Sequence, residues 1–352
     1  MSPSSGRSAL PFRRALLAWY DSVRRNLPWR ESTDFYRVWI SEVMLQQTRV
    51  EAVIPYFHRF LERFPDIQAL ADAPEPDVLA AWSGLGYYSR ARNLHRAAKL
   101  VAAQGVPASH DEVLSLPGAG PYTAAAISSI ALGLPHAAVD GNVIRVVSRL
   151  TNDAAEVSAP GTRARFAAEA QRLLDTRRPG DFNQAMMELG ATVCLPRTPL
   201  CPDCPVQRFC AGRAAGRERE LPVKLKKQAV TEIALELLAI LRDGAVFLVR
   251  RDDAERRLAS FWELPEKALF AEIPGIRASE FTHRIVNDRF RVVVWQALVS
   301  AVVTLKGGRW FDLPELASVP VTTVTRKALA GLSQRKPAQI SFPSAEKPSP
   351  EE

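Results

Sequence analysis

The sequence predicts a mainly α N-terminal domain followed by an α+β C-terminal domain, and three observations carry that expectation. From residue 11 to about 208, apolar residues recur at helical spacing and Pro or Gly punctuates the pattern. Beyond residue 230 the pattern changes to short strand-like runs, at 233–241, 246–249 and 292–303, separated by turn signals such as Asp243-Gly244 and Gly307-Gly308. All four cysteines fall between Cys194 and Cys210, where the helical part ends. The expected organisation is a first domain over 11–211, a basic linker over 212–230, a second domain over 231–335 and a disordered tail over 336–352.

With 352 residues, 47% of them hydrophobic and 24% charged, the chain is long enough to bury two cores. Its formal charge of +8 favours a polyanionic partner, because Lys and Arg that neutralise phosphates release condensed counterions. No apolar run is long enough to span a bilayer, and the N-terminal stretch lacks the apolar core of a secretory signal. The chain therefore reads as soluble, with no membrane partner. Cysteines that cluster rather than scatter point to a metal site in a reducing compartment and not to a disulfide framework.

Taken in order, residues 34–57 read as one amphipathic helix, with Val38, Val43, Met44 and Gln47 near one face and Arg37 opposite. Glu42 lies on it, and most glutamates on such a helix are solvated. Further on, Arg90, Arg92 and His95 suit either phosphate contacts or the solvated side of a helix. In 114–132 one helix ends at Leu116, a Pro-Gly turn follows, and Gly120 precedes Pro121 at the first position of a second helix. Gly118 and Gly120 let the backbone approach something closely, and the N–H groups of the second helix start suit a phosphate. An ordinary helix pair with a glycine turn explains the segment equally well. In VDGNVIRVVSRL, Asp140 stands where a helix N-cap belongs. The spacing Cys-x6-Cys-x2-Cys-x5-Cys brings Cys194, Cys201, Cys204 and Cys210 to one metal centre, with prolines stiffening the loop. Spacing alone leaves zinc and iron–sulfur both open.

The cysteine spacing resembles the iron–sulfur loop of the endonuclease III and MutY group of DNA glycosylases. LPGAGPYT followed by VDGNV resembles the helix-hairpin-helix, Gly-Pro, Asp signature of the same superfamily, and WISEVMLQQT resembles the acid-bearing segment of MutY-type adenine glycosylases. The resemblance implies a 4Fe-4S cluster on the four cysteines and an alkali cation at the hairpin. It makes Glu42 the acid that protonates adenine and Asp140 the carboxylate that stabilises the cationic sugar. Tyr122 stands where lyase-competent relatives carry Lys, so no Schiff base forms, and it is expected to support Asp140 by hydrogen bonding, as is Asn142. Arg25, Leu27, Trp29 and Arg30 match the adenine-pocket segment, and Gln184 matches the residue that binds the flipped base. Gln47, Leu85 and Tyr87 match residues that wedge into the duplex.

Residues 245–267 resemble the start of a Nudix-like domain, without the glutamate array that holds a catalytic cation after Lys267. A recognition domain for 8-oxoguanine is implied. Where the family commonly has a His-x-Phe-Ser-His loop, this chain has FTHRIVNDRF, keeping His283 but placing Val286 and Asn287 at the Ser and second His. Weaker discrimination between 8-oxoguanine and guanine is expected. The resulting expectation is a monomeric, monofunctional base-excision-repair glycosylase, cytoplasmic in a bacterium, acting on double-stranded DNA containing A·8-oxoguanine or A·G. The alternatives are a glycosylase for thymine in G·T mismatches and a non-catalytic DNA-binding iron–sulfur protein.

Overall fold

The computed structural model describes residues 9–223, 231–251, 261–285, 288–317 and 319–332. The linker lysines Lys224, Lys226 and Lys227, the tail 336–352, and both Val286 and Asn287 lie outside the described residues. The chain divides into two compact units. The first holds residues 1–73 and 90–226. The second holds 74–89 and 227–352, so a short stretch that the sequence reading gave to the first domain groups with the second.

The elements in chain order are α1 (Leu10–Val23), α2 (Phe35–Leu45), α3 (Val50–Arg63), α4 (Ile67–Asp72), α5 (Glu75–Trp82), α6 (Ser89–Gln104), α7 (His110–Ser115), α8 (Pro121–Ile130), α9 (Gly141–Thr151), α10 (Thr162–Leu173), α11 (Pro179–Thr192) and α12 (Ala211–Ala214). In the first unit, α9 is the central helix: every residue from Val143 to Leu150 is buried. Its apolar residues join Phe12, Leu16 and Tyr20 of α1, Phe166 and Leu173 of α10, and Phe182, Met186 and Leu189 of α11 in one core. A helix buried on all sides must also bury polar residues, and α9 buries two arginines, Arg145 and Arg149.

The single helix expected over 34–57 is two. Gln47 adopts a left-handed conformation, φ +57°, which stops the hydrogen-bond ladder between α2 and α3. Apolar periodicity continues across the break, so the pattern could not reveal it. Asp34 caps α2 by accepting from the Arg37 backbone N–H at 2.9 Å.

The second unit carries β1 (Thr231–Arg242), β2 (Ala245–Arg250), β3 (Trp262–Glu263), β4 (Ile276–Ile285), β5 (Asp288–Leu298), β6 (Gly308–Asp312) and the helix α13 (Thr323–Ala330). The sheet order is β3-β2-β1-β5-β4, with β6 pairing β2. Strands β1 and β5 run parallel from Thr231↔Asp288 to Leu241↔Leu298, and the other pairs are antiparallel. Asp243 and Gly244 both take positive φ, as a two-residue hairpin turn between right-twisted strands requires. One face packs Leu237, Val292, Val294 and Phe311 with Ala328 of α13. The other packs Leu238, Ile240, Phe247 and Phe270.

Candidate active site

Glu42 is not a solvated helix residue. It is 5% exposed, and its Oε2 accepts a hydrogen bond from the Tyr122 hydroxyl at 3.0 Å. Tyr122 sits in the first turn of α8, which starts at Pro121 after Gly120 as the sequence predicted. Burial pushes the Glu42 carboxyl up to about 7. The Tyr122 hydrogen bond opposes that rise, and the like charge of Asp140 adds to it. The expected hydrogen bond from Tyr122 to Asp140 is therefore corrected: the phenol serves Glu42 instead, with the Met187 Sδ 3.2 Å away. Helix α8 packs against α2, which brings the phenol to a residue 80 positions earlier.

Asp140 caps α9, its Oδ1 accepting from the Val143 N–H at 2.7 Å and its Oδ2 from the Asn142 side chain at 2.8 Å. Burial raises its pKa, and these donors hold it back. Asn142 is itself held, because Arg145 donates to its Oδ1 at 2.8 Å. Arg145 also donates to the carbonyls of Gly190 and Cys194, both at 2.7 Å. A continuous line of hydrogen bonds thus runs from Asp140 to the first residue of the cysteine loop. Gly190 permits it, since a Cβ there would lie 2.6 Å from the Asn142 Cβ.

Glu42, Tyr122, Asp140 and Asn142 line one cavity of about 200 Å³, together with Arg25, Leu27, Trp29, Arg30 and Gln184. That volume suits one small planar group rather than a whole nucleotide. Sequence reasoning missed Glu188. It is 1% exposed, and its carboxylate accepts from Arg25 at 2.5 and 3.1 Å and from Arg30 at 2.8 Å. Burial pushes its carboxyl up, but the two arginines outweigh burial and hold it below its usual range. The signal was its place one helical turn after Gln184, on the same face of α11.

Other expected residues lie elsewhere. Gln47 is exposed in the turn after α2. In the second unit Tyr87 is 47% exposed with φ +49°, whereas Leu85 is only 8% exposed. A wedge into a duplex needs an exposed side chain, so Leu85 does not stand ready as one. The Leu85 N–H closes a turn onto the Trp82 carbonyl, and the positive φ of Gly84 and Gly86 folds that turn back on itself. Arg90 and His95 are buried and fit neither the phosphate nor the solvated reading. Gly118 has φ +83°, and a Cβ there would lie 2.8 Å from the Asn93 Cβ, while Gly120 faces open space. His283 is half-buried on β4 beside the Lys327 ammonium, 3.5 Å away.

The four cysteines form no disulfide and line one small cavity with Arg149, Arg213 and Glu218. Among the described residues no three Cys, His, Asp or Glu side chains converge as one ion would need. The four thiols line one cavity, and four thiolates suit either tetrahedral zinc or an iron–sulfur cluster. Burial raises the thiols of Cys201, Cys204 and Cys210, so they stay protonated until a cation compensates the thiolates. One cation is already present. Arg149, 1% exposed, makes no ion pair among the described residues and donates to the Cys194 Sγ at 3.1 Å. Its carbonyl accepts from the Cys210 Sγ at 3.3 Å. A buried guanidinium that donates to a cysteine sulfur fits an anionic thiolate cluster.

The family model described as the HhH-GPD superfamily base excision DNA repair protein matches residues 40–169. The adenine DNA glycosylase of Rattus norvegicus is 47% identical over 396 residues, covering 90% of this chain and 77% of the rat protein. That coverage exceeds the first unit and so reaches into the second. The adenine DNA glycosylase of Homo sapiens is 45% identical over 222 residues, 60% of this chain and 41% of the human one, so the matched part spans under half of that relative. Among solved structures, a thermostable thymine-DNA glycosylase superposes with a TM-score of 0.53 at 26% identity, covering 59% of this chain and 97% of that one. Buried carboxylates, hairpin and cysteine loop thus occur in a chain whose similarity to the rat enzyme extends over most of both lengths, and the chain belongs to the adenine DNA glycosylases, base-excision-repair enzymes of the HhH-GPD superfamily.

Proposed function

We propose that the chain removes adenine mispaired with 8-oxoguanine or guanine in double-stranded DNA, by hydrolysis and without strand cleavage. The observation that carries this reading is the buried Glu42 carboxyl, pushed up to about 7 and lining one base-sized cavity with Asp140. Adenine is a poor leaving group until N7 is protonated, so an acid that keeps its proton near neutrality is the group the reaction needs. As the glycosidic bond breaks, Asp140 supplies negative charge to the oxocarbenium-like sugar, and the resulting Glu42 carboxylate takes a proton from the attacking water. Tyr122 has no amine to attack the sugar, which supports monofunctional chemistry.

Around that centre, Arg25, Arg30, Gln184 and Glu188 offer donors and acceptors to the edge of a flipped base, with Leu27 and Trp29 against its face. Gln47 and Tyr87 are the exposed candidates for filling the stack. Gly118, Gly120 and the start of α8 take a phosphate, with an alkali cation as the hairpin's companion. The cysteines hold a 4Fe-4S cluster that organises their loop. His283 and Asn287 belong to reading the base opposite. The protein acts as a monomer on the nucleoid if its source is bacterial.

Single-turnover assays of wild type, Glu42→Gln and Asp140→Asn on A·8-oxoguanine, A·G and G·T duplexes test the reading. Adenine release lost in both variants, with no abasic-site cleavage by the wild type, is expected. Thymine release would make it a G·T enzyme, and tight binding without release in any form would make it a non-catalytic binder.

A further inference from the structure

Arg90 sits on α6 with 8% of its surface exposed, in a segment whose arginines looked like phosphate contacts. Its guanidinium turns inward onto the end of the helix that carries Glu42. Nη1 donates to the carbonyls of Val43 at 3.0 Å, Met44 at 2.8 Å and Gln46 at 2.5 Å. Nη2 donates to the Thr48 hydroxyl at 3.2 Å, and Thr48 lines the base cavity. The last carbonyls of a helix have no partner within it, and a cation there also meets the negative end of the helix dipole.

The residue enclosed by these contacts is Gln47. Its φ of +57° is one that residues other than Gly, Asn and Asp seldom adopt, so something outside it must hold it there. Within the turn itself the Thr48 N–H reaches the Leu45 carbonyl at 3.2 Å and the Thr48 hydroxyl donates to the Gln46 carbonyl at 3.3 Å, so the Arg90 contacts at both Gln46 and Thr48 add to a sparse local set. The Gln46 side chain donates to the Thr123 hydroxyl at 2.9 Å, which points Gln46 inward beside Tyr122 and leaves Gln47 outward. One guanidinium thus holds three carbonyls before Gln47 through Nη1 and the Thr48 hydroxyl after it through Nη2, spanning the left-handed residue with its two arms.

We propose that Arg90 is a positioning residue for base extrusion: it holds the 45–48 turn in the left-handed form that presents Gln47 to the duplex, and does not itself touch DNA. This rests on the reading of Gln47 as a wedge. The test compares Arg90→Lys, Arg90→Met and Gln47→Ala with wild type. Each is assayed on a duplex holding A·8-oxoguanine and on a single strand in which the adenine needs no extrusion, with 2-aminopurine fluorescence reporting flipping. A misplacement of about 1 Å costs on the order of 100-fold. That loss is expected for Arg90→Met on the duplex, with slowed flipping, partial rescue by Lys, and an unchanged single-strand rate and pH midpoint. Equal losses on duplex and single strand, or full duplex activity in both Arg90 variants, overturn the proposal. If Gln47→Ala is unaffected on the duplex, the wedge reading fails instead. Should Arg90→Met not fold, the Lys variant alone carries the comparison.

Discussion

The residue proposed as the acid is also one that costs stability. Glu42 has its carboxyl raised from 4.5 to about 7 by burial, so the folded state binds its proton more tightly than the unfolded chain does. A raised folded pKa means the contribution is intact below 4.5 and is lost as pH rises through about 7. At roughly 1.4 kcal/mol per unit the loss approaches about 3 kcal/mol. Glu42→Gln should therefore match wild-type stability at pH 4 and exceed it by up to that amount at pH 8, as read by urea denaturation at the two pH values. Equal stability at both would mean that Glu42 is not desolvated in solution. Tyr122→Phe tests the other half of the pair. Removing the hydroxyl removes a donor that stabilises the Glu42 carboxylate, so the acid should keep its proton longer and the alkaline limb of the cleavage rate should move to higher pH. About 1 kcal/mol of stability should go with the hydrogen bond. A limb that moves down would contradict the direction. Glu42, Tyr122 and Asp140 were legible as residues, because each stands in a short motif. Their pairing was not, because Tyr122 meets a carboxylate 80 positions away and only the packing of α8 on α2 decides which of two it meets.

Among the elements, those set by a local rule with one outcome are legible in the sequence and those set by packing are not. Pro121 at a helix start, Asp140 as N-cap and the Asp243-Gly244 turn all follow from backbone sterics near one residue. The break at Gln47 does not, because its left-handed backbone is held by Arg90 from another helix. Arg90 and His95 were misjudged for the same reason: polar side chains on a short motif carry no mark of which way they face. Glu188 was overlooked because one carboxylate on a helix reads as solvated until its two arginines are seen. The contact of α9 with α11 yields a direct test. Gly190→Ala places a methyl 2.6 Å from the Asn142 Cβ, forcing the two helices apart where Asn142 holds Asp140. Overpacking of this kind costs about 1–3 kcal/mol. The cleavage rate should fall further than stability explains, with the melting temperature and single-turnover rate measured on one preparation. Gly118→Ala, at φ +83°, should also destabilise, whereas Gly120→Ala meets nothing within 4 Å and should fold as wild type. A destabilised Gly120 variant with a stable Gly118 one would reverse the assignment.

Across the molecule each unit owns its core, and this limits how far loss of the proposed 4Fe-4S cluster should spread. Cys194, Cys204 and Cys210 pack against the core shared by α1, α9, α10 and α11, and Arg149 ties the loop by its side chain to the carbonyls of Leu195, Pro196 and Leu221. Removing the proposed cluster would take away the anionic group beside that buried guanidinium, a loss the fold relieves most cheaply by opening the loop. The sheet of the second unit, with its own two cores, contains no cysteine. Amide hydrogen exchange before and after iron removal with a chelator should therefore show protection lost over 194–221 and at the C-terminal end of α9. Strands β1 and β5 should exchange as before. Arg149→Met should reproduce part of this pattern with iron still bound and should shed iron roughly tenfold faster under the chelator, a typical cost for losing a partner of a metal ligand. Protection that falls equally in both units would mean the cluster supports the whole chain, and an Arg149→Met protein that holds iron as firmly as wild type would leave the buried charge without the role its surroundings give it.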